Sequence, residues 1–206
     1  MRDDAAASKT RVAIIAGSGD IPVHVAETLA AQGRDPFIIA IKGEADPSLF
    51  AFEHQVVHPI HPGVLMSVLK RVQPADVVMV GGVRSRPRLR DIRLDWTTFR
   101  LMTAFLPKLK SGDDALLRSV VEMIEKAGFR VRGVHELLPE LLAGEGHIAG
   151  PKPSAEDRET LAAAAAGALA LGRLDAGQAC VAIGRRIVAL EGAEGTDAML
   201  ERVADM

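Results

Sequence analysis

The sequence predicts an α/β protein with two parts: an N-terminal Rossmann-like domain on a parallel sheet, then a smaller α/β domain that stops short of a full core. Three observations carry this. Short Val- and Ile-rich runs alternate with helical patterns through the first part of the 206 residues, as expected for a parallel sheet covered on both faces. A glycine-bearing turn joins the first such run to a helix that opens with proline. A Gly- and Pro-rich stretch, Gly144 to Pro153, then separates this part from a second set of helices and strands.

Arg11 to Ala16 reads as a buried strand. Gly17-Ser18-Gly19-Asp20 is a turn, and Pro22 suits the first turn of a helix, where a missing N–H removes no hydrogen bond. That helix runs to about Gln32 and stops at Gly33. Pro36 to Ile41 is a second strand, Gln55 to Pro59 a third extended piece, Pro62 to Val72 a helix and Asp76 to Val80 another apolar strand. An Arg-rich loop, Arg84 to Arg93, leads to helical patterns at Trp96 to Leu109 and Asp113 to Ala127, then to a strand at Phe129 to Val134. After the linker come an Ala-rich helix (Ser154 to Leu171), strands at Gln178 to Ile183 and Arg186 to Leu190 with a tight Gly184-Arg185 turn between them, and a last helix from Thr196. The expected division is 1–145, a linker at 146–153, and 154–206. The chain stops at Met206 inside that helix without a C-cap. A domain built from 154–206 alone is short of core, so the expectation is a C-terminal domain truncated in this chain.

Composition removes several classes. Apolar residues at 48% fill a core, and a net charge of -2 supplies no field for nonspecific nucleic-acid binding. No Tyr and one Trp leave little for base stacking. The single Cys180 excludes a disulfide framework and a Cys-rich zinc site, and its apolar run reads as a structural thiol. Met1 to Thr10 lacks the apolar core of a signal peptide. The uncharged run Leu161 to Leu171 is too short to span a bilayer. These point to a cytoplasmic protein.

Four constellations bear on chemistry. Gly17, Ser18, Gly19 and Asp20 follow a strand and open a helix, where backbone N–H groups and the positive dipole end suit a nucleotide or pyrophosphate. The alternative is a plain strand-to-helix turn. Pro22 stands where a dinucleotide fingerprint needs a small residue, and no acid follows the second strand closely, so a nicotinamide oxidoreductase is a poor match. Arg84, Arg86, Arg88, Arg90 and Arg93 offer guanidinium forks for a pyrophosphate or anionic lipid headgroup, or else form a solvated basic loop. Ser111 to Arg118 holds Asp113, Asp114 and Arg118, which suit a helix start and an i,i+4 pair. Glu191, Glu194 and Asp197, with Thr196, place hard oxygen ligands for magnesium on a glycine-bearing loop, though helix capping uses the same residues. His54, His58 and His61 cluster without tight ligand spacing; His24 falls inside a helix and His135 follows a strand next to Glu136, and both suit a structural role.

Five segments occur in order: Ala16-Gly17-Ser18-Gly19-Asp20-Ile21-Pro22, Gly112 to Arg118, Gly133-Val134-His135-Glu136-Leu137-Leu138-Pro139, Asp175-Ala176-Gly177-Gln178, and Glu191 to Leu200. Together they resemble the LpxI type of UDP-2,3-diacylglucosamine pyrophosphatase, in an alphaproteobacterial form, over Arg11 to Asp205. The resemblance implies a substrate-binding first domain and a catalytic second one. It implies magnesium-assisted (or manganese-assisted) attack of water on the pyrophosphate, at the β-phosphorus, releasing UMP and 2,3-diacylglucosamine 1-phosphate (lipid X) in lipid A synthesis. The implied substrate contacts are Gly17, Ser18, Gly19, Asp20, Arg84, Arg86, Arg118, Gln178 and Thr196. Asp114 and Asp197 are the implied catalytic residues, with Glu191, Glu194 and Asp197 on the metal. A further catalytic aspartate is implied beyond Met206. Transient contact with the inner-membrane surface follows from the acyl chains, and homodimer formation is left open. The competing reading is a nonenzymatic nucleotide-sugar or lipid-phosphate binding protein.

Overall fold

The computed structural model describes residues 11–58, 61–83 and 112–204, with side chains of the last stretch from Leu117 onward. The Arg-rich loop with Arg84 and Arg86, and the helix expected over Trp96 to Leu109, lie outside the described residues. The chain divides into two compact units, one up to Ala143 and one from Gly144 on, with Gly112–Asp114 grouped with the second.

The first unit is built on β1 (Arg11–Ala16), α1 (Ile21–Ala31), β2 (Asp35–Ile41), β3 (His54–Val57), α2 (Pro62–Val72), β4 (Asp76–Val80), α3 (Gly112–Lys126), β5 (Val131–Arg132) and the single-turn α4 (Val134–Leu137). The strands form one sheet in the order β3-β2-β1-β4-β5, every neighbouring pair parallel. Chain order therefore reverses between β1 and β4. In an open parallel sheet the crevice outside the carboxyl ends of two such strands is where ligands are held.

Both faces of this sheet are buried, which is why its strands are unbroken apolar runs rather than alternating ones. Val12, Ile14 and Ala16 of β1 face Val25, Ala26 and Leu29 of α1. Ala13 and Ile15 face the other way, with Phe37, Ile39, Met66, Leu69, Met123 and Ile124. β5 is shorter than the strand expected at Phe129 to Val134: only Val131 and Arg132 pair with β4. Gly133 ends it in extended backbone, and the chain turns directly into α4.

The amino ends of the strands are tied by charge. Asp76, 4% exposed, accepts from Arg34 at 2.9 Å and Arg130 at 2.7 Å, with Arg132 3.8 Å away. Arg11 pairs with Asp35 and Glu53, which raises its already high pKa, the hydrogen bond to Asp35 being the larger cause. A buried aspartate needs such partners, and these groups sit at the edge opposite the switch point.

The second unit contains α5 (Ala155–Arg173), a hairpin of β6 (Cys180–Ile183) and β7 (Arg186–Leu190), and α6 (Thr196–Ala204). Ser154 caps α5 from just outside it: its hydroxyl accepts from the Asp157 N–H while Asp157 accepts from the Ser154 N–H. Gly184 and Arg185 both have positive φ, 52° and 67°, the backbone a two-residue hairpin needs. Gly167 lets α5 approach β6 and β7, since a Cβ there would meet Cys180 Sγ at 2.8 Å. Cys180, expected as a buried structural thiol, is half-buried and donates to the Ala164 carbonyl. Among the described residues no helix is long and apolar enough to cross a membrane.

Candidate functional site

At the switch point, the turns after β1 and β4 are joined to each other. The Ser18 N–H donates to the Gly82 carbonyl at 2.7 Å, and the Gly82 N–H returns to the Ser18 carbonyl at 3.0 Å. The Ser18 hydroxyl donates to the same Gly82 oxygen, and the Gly17 N–H donates to Val80. Gly17 has no side chain because the Gly81-Gly82 backbone lies where one would be, and Gly81 has none because Ser18 O would stand 2.7 Å from it, at a φ of 90°. Much of the glycine content of these turns thus serves backbone-to-backbone approach of two loops.

What is left facing outward is the rest of the turn. Gly19 has a φ of 100° and open space around it. Asp20 is exposed at the N-cap of α1 without capping the helix through its side chain. The N–H groups of Gly19, Asp20 and Ile21 follow in sequence at a helix start, the arrangement that favours an anion. Pro22 is buried against Gly81. Gly17, Ser18, Gly19 and Asp20 are brought to this one edge. Arg118 lies in α3, exposed, while the side chain of Asp114 in the first turn of α3 lies outside the described ones.

The second unit brings together three residues named from two motifs that are apart in sequence. Glu191, at the end of β7, accepts from the Gln178 N–H at 2.8 Å on one carboxylate oxygen and from the Thr196 hydroxyl at 2.9 Å on the other. The Gln178 contact is the larger cause that holds the Glu191 carboxyl below the ordinary glutamate range, the Thr196 contact the next. Gly177 makes room, since a Cβ there would meet the Glu191 carbonyl at 2.7 Å. Glu191 is 8% exposed, so it acts as the knot that fixes the start of β6 and the start of α6 to the end of β7. Gln178 gives its backbone to this knot, which is why β6 begins at Cys180 rather than at Gln178 as expected. Glu194 pairs with Arg202 through one oxygen at 2.9 Å. Asp197 is exposed in the first turn of α6.

Magnesium typically uses one or two protein carboxylates, with substrate phosphates and water completing its shell. Among the described residues no three His, Cys, Asp or Glu side chains gather in one place. Glu191, expected as a ligand, accepts one hydrogen bond on each of its oxygens. Asp197 and the second oxygen of Glu194 are exposed on the same loop and helix start, and one or two such carboxylates suit an ion that shares a diphosphate. The histidines are placed differently: His54 stacks on Phe50 and His58 lies against His61, with ring centroids 4.9 and 5.4 Å apart. An open cavity of about 760 Å³ in the second unit, lined by His147, Ile148, Lys152 and Arg158 among others, holds none of the residues named from the motifs.

The comparisons with known proteins agree with one another. The LpxI N-terminal domain model matches residues 11–141, and the LpxI C-terminal domain model matches residues 144–206. The UDP-2,3-diacylglucosamine pyrophosphatase LpxI of Caulobacter vibrioides is 35% identical over 196 residues, which is 95% of this chain and 70% of that protein. The chain belongs to the LpxI family.

Proposed function

We propose that this protein is a hydrolase that cleaves the pyrophosphate of UDP-2,3-diacylglucosamine in lipid A synthesis. The observation that carries the reading is the 35% identity to a pyrophosphatase of that name across 95% of the chain. It is supported by the amide-bearing turn at the switch point, a suitable seat for a diphosphate.

Water attacks the β-phosphorus, on the sugar side. A bond forms between the water oxygen and that phosphorus, and the bond from the same phosphorus to the bridging oxygen breaks. The bridging oxygen leaves with UMP, and the new phosphate is that of 2,3-diacylglucosamine 1-phosphate. Gly19, Asp20 and Ile21 N–H groups hold the diphosphate, joined by Arg84, Arg86 and Arg118. Gln178 and Thr196 contact the substrate at the second unit, where Glu191 fixes the loop. Asp114 and Asp197 are the catalytic carboxylates, Asp114 accepting the proton of the attacking water. Asp197 and Glu194 would hold magnesium, which when bound would neutralise charge at the phosphoryl oxygens. The protein works in the cytoplasm and meets its substrate at the inner-membrane surface.

Turnover in oxygen-18 water decides between the steps. Label on the lipid sugar phosphate is expected. Label on UMP overturns attack at the β-phosphorus while keeping the reaction class. Binding of the substrate with no hydrolysis makes this a nucleotide-sugar binding protein instead. Asp114→Ala and Asp197→Ala are each expected to lower kcat at least a hundredfold, and full activity in either removes that residue from the mechanism.

A further inference from the structure

Three loops leave the carboxyl edge of the sheet beside the switch point, after β1, β4 and β5, and the third has no part in the reading above. It runs from Gly133 to Glu136. Its strand pairs Val131 and Arg132 with Val77 and Val78 of β4. It is anchored at the same edge, because Val134 and Leu137 pack against the buried cluster that holds Ala16 and Val80, the residues directly before the two glycine turns. That leaves His135 exposed between the two anchors.

The His135 ring folds back on Gly133. A Cβ at position 133 would overlap the imidazole and stand 2.7 Å from Nδ1. Yet Gly133 has φ -69° and ψ 148°, a backbone that any L residue adopts. The missing side chain gives the imidazole its room there and is not demanded by the main chain. Glu136 braces the same platform: one oxygen accepts the Gly133 N–H at 2.9 Å and the other accepts from Arg132 at 2.9 Å. Both oxygens of the neighbouring carboxylate are thus used elsewhere, and the ring nitrogens of His135 have no hydrogen-bond partner among the described residues.

We propose that His135 contacts the substrate diphosphate, its imidazole N–H donating to a non-bridging phosphoryl oxygen, with Gly133 as the positioning residue that holds the ring. This rests on the pyrophosphatase reading above and adds a side-chain donor beside the backbone donors of the Gly17–Asp20 turn. The interaction is present before and during bond breaking, so its loss raises KM and spares kcat. A hydrogen bond to a charged oxygen corresponds to roughly ten- to hundredfold in KM.

The test uses the full chain with nitrogen-15 labelled histidine. UDP is titrated in, and the imidazole signals of the six histidines are followed, that of His135 being identified by its absence from His135→Ala. UDP is expected to shift the His135 signal, and Gly133→Ala is expected to abolish that shift while Tm stays within about two degrees, since only the far end of a side chain has to move. Both variants are expected to raise KM for UDP-2,3-diacylglucosamine at least tenfold with kcat changed less than threefold, and the double variant to be no worse than His135→Ala. A shift with UDP in a protein that does not hydrolyse keeps the contact and discards the pyrophosphatase reading. Hydrolysis with an unmoved His135 signal and an unchanged KM in His135→Ala discards the contact and leaves that reading intact. Should Gly133→Ala fail to fold, the titration and His135→Ala decide alone.

Discussion

Glu191, a metal-ligand candidate in the sequence, is also a brace in the fold. The motif places it among acids, but besides the Thr196 hydroxyl 5 residues on it accepts from the Gln178 N–H 13 residues back, a contact that no local pattern encodes. Its carboxyl is held below the ordinary range of about 4.3, so its stabilising contribution is complete above that pH and is lost as the pH falls through the lower folded value. Glu136, held down chiefly by the Gly133 N–H, and Asp157, by the Ser154 N–H, act in the same direction. Tm is therefore expected to be level above about pH 5.5 and to drop below about pH 4.3. In Glu191→Gln, Tm is lower at neutral pH and the acid-side drop is shallower; a profile parallel to the parent would assign the drop to other groups. Asp76 is the residue sequence reading passed over, because its strand looks purely apolar. Asp76→Ala leaves three arginines around one buried site. The cost is about 2 kcal/mol in urea unfolding, below the usual range for a broken buried pair because Arg130 is 61% exposed and regains water.

At the scale of elements, the informative comparison is between two glycines. Gly43 and Gly81 both have positive φ, 82° and 90°. Around Gly43 nothing stands within 4 Å of an added Cβ, whereas at Gly81 the Ser18 carbonyl and the Pro22 ring are at 2.7 and 2.8 Å. Gly43→Ala is expected to cost about 1 kcal/mol, the backbone strain alone. Gly81→Ala is expected to cost about 3 kcal/mol and to raise KM for the nucleotide sugar, because it also separates the two turns. Equal costs at the two positions would mean that the turns are not held together by this approach. The strand-turn-helix of Gly17 to Pro22 was legible because proline, glycine and an apolar run act locally. The joining of that turn to Gly81-Gly82 was not, since it depends on β1 and β4 being neighbours, which brings together Ser18 and Gly82, 64 residues apart. The short β5 was missed for a related reason: Phe129 to Val134 has strand composition, but only two residues find a partner in β4.

Over the whole molecule, burial is unevenly shared. The first unit has apolar clusters on both sheet faces, while in the second unit the described buried residues are few, with Gly167, Ala189, Glu191 and Met199 among them. Leu161, Leu169, Ile183 and Leu200 remain at least half exposed. Hydrogen exchange is expected to be slowest in β1, β2 and β4 and clearly faster in β6 and β7, because local opening costs less where little apolar surface is covered. Comparable protection in both units would show that contacts outside those described stabilise the second. The sequence by itself determined the α/β class, the helix starts and the hairpin turn, because periodicity, proline and glycine act over a few residues. Five ordered motifs were also enough to reach the family. Only the tertiary structure decided which polar groups brace the fold and which remain open to a ligand. That assignment depends on hydrogen-bond partners that are distant in the chain and adjacent in space, and a one-dimensional pattern does not carry that adjacency.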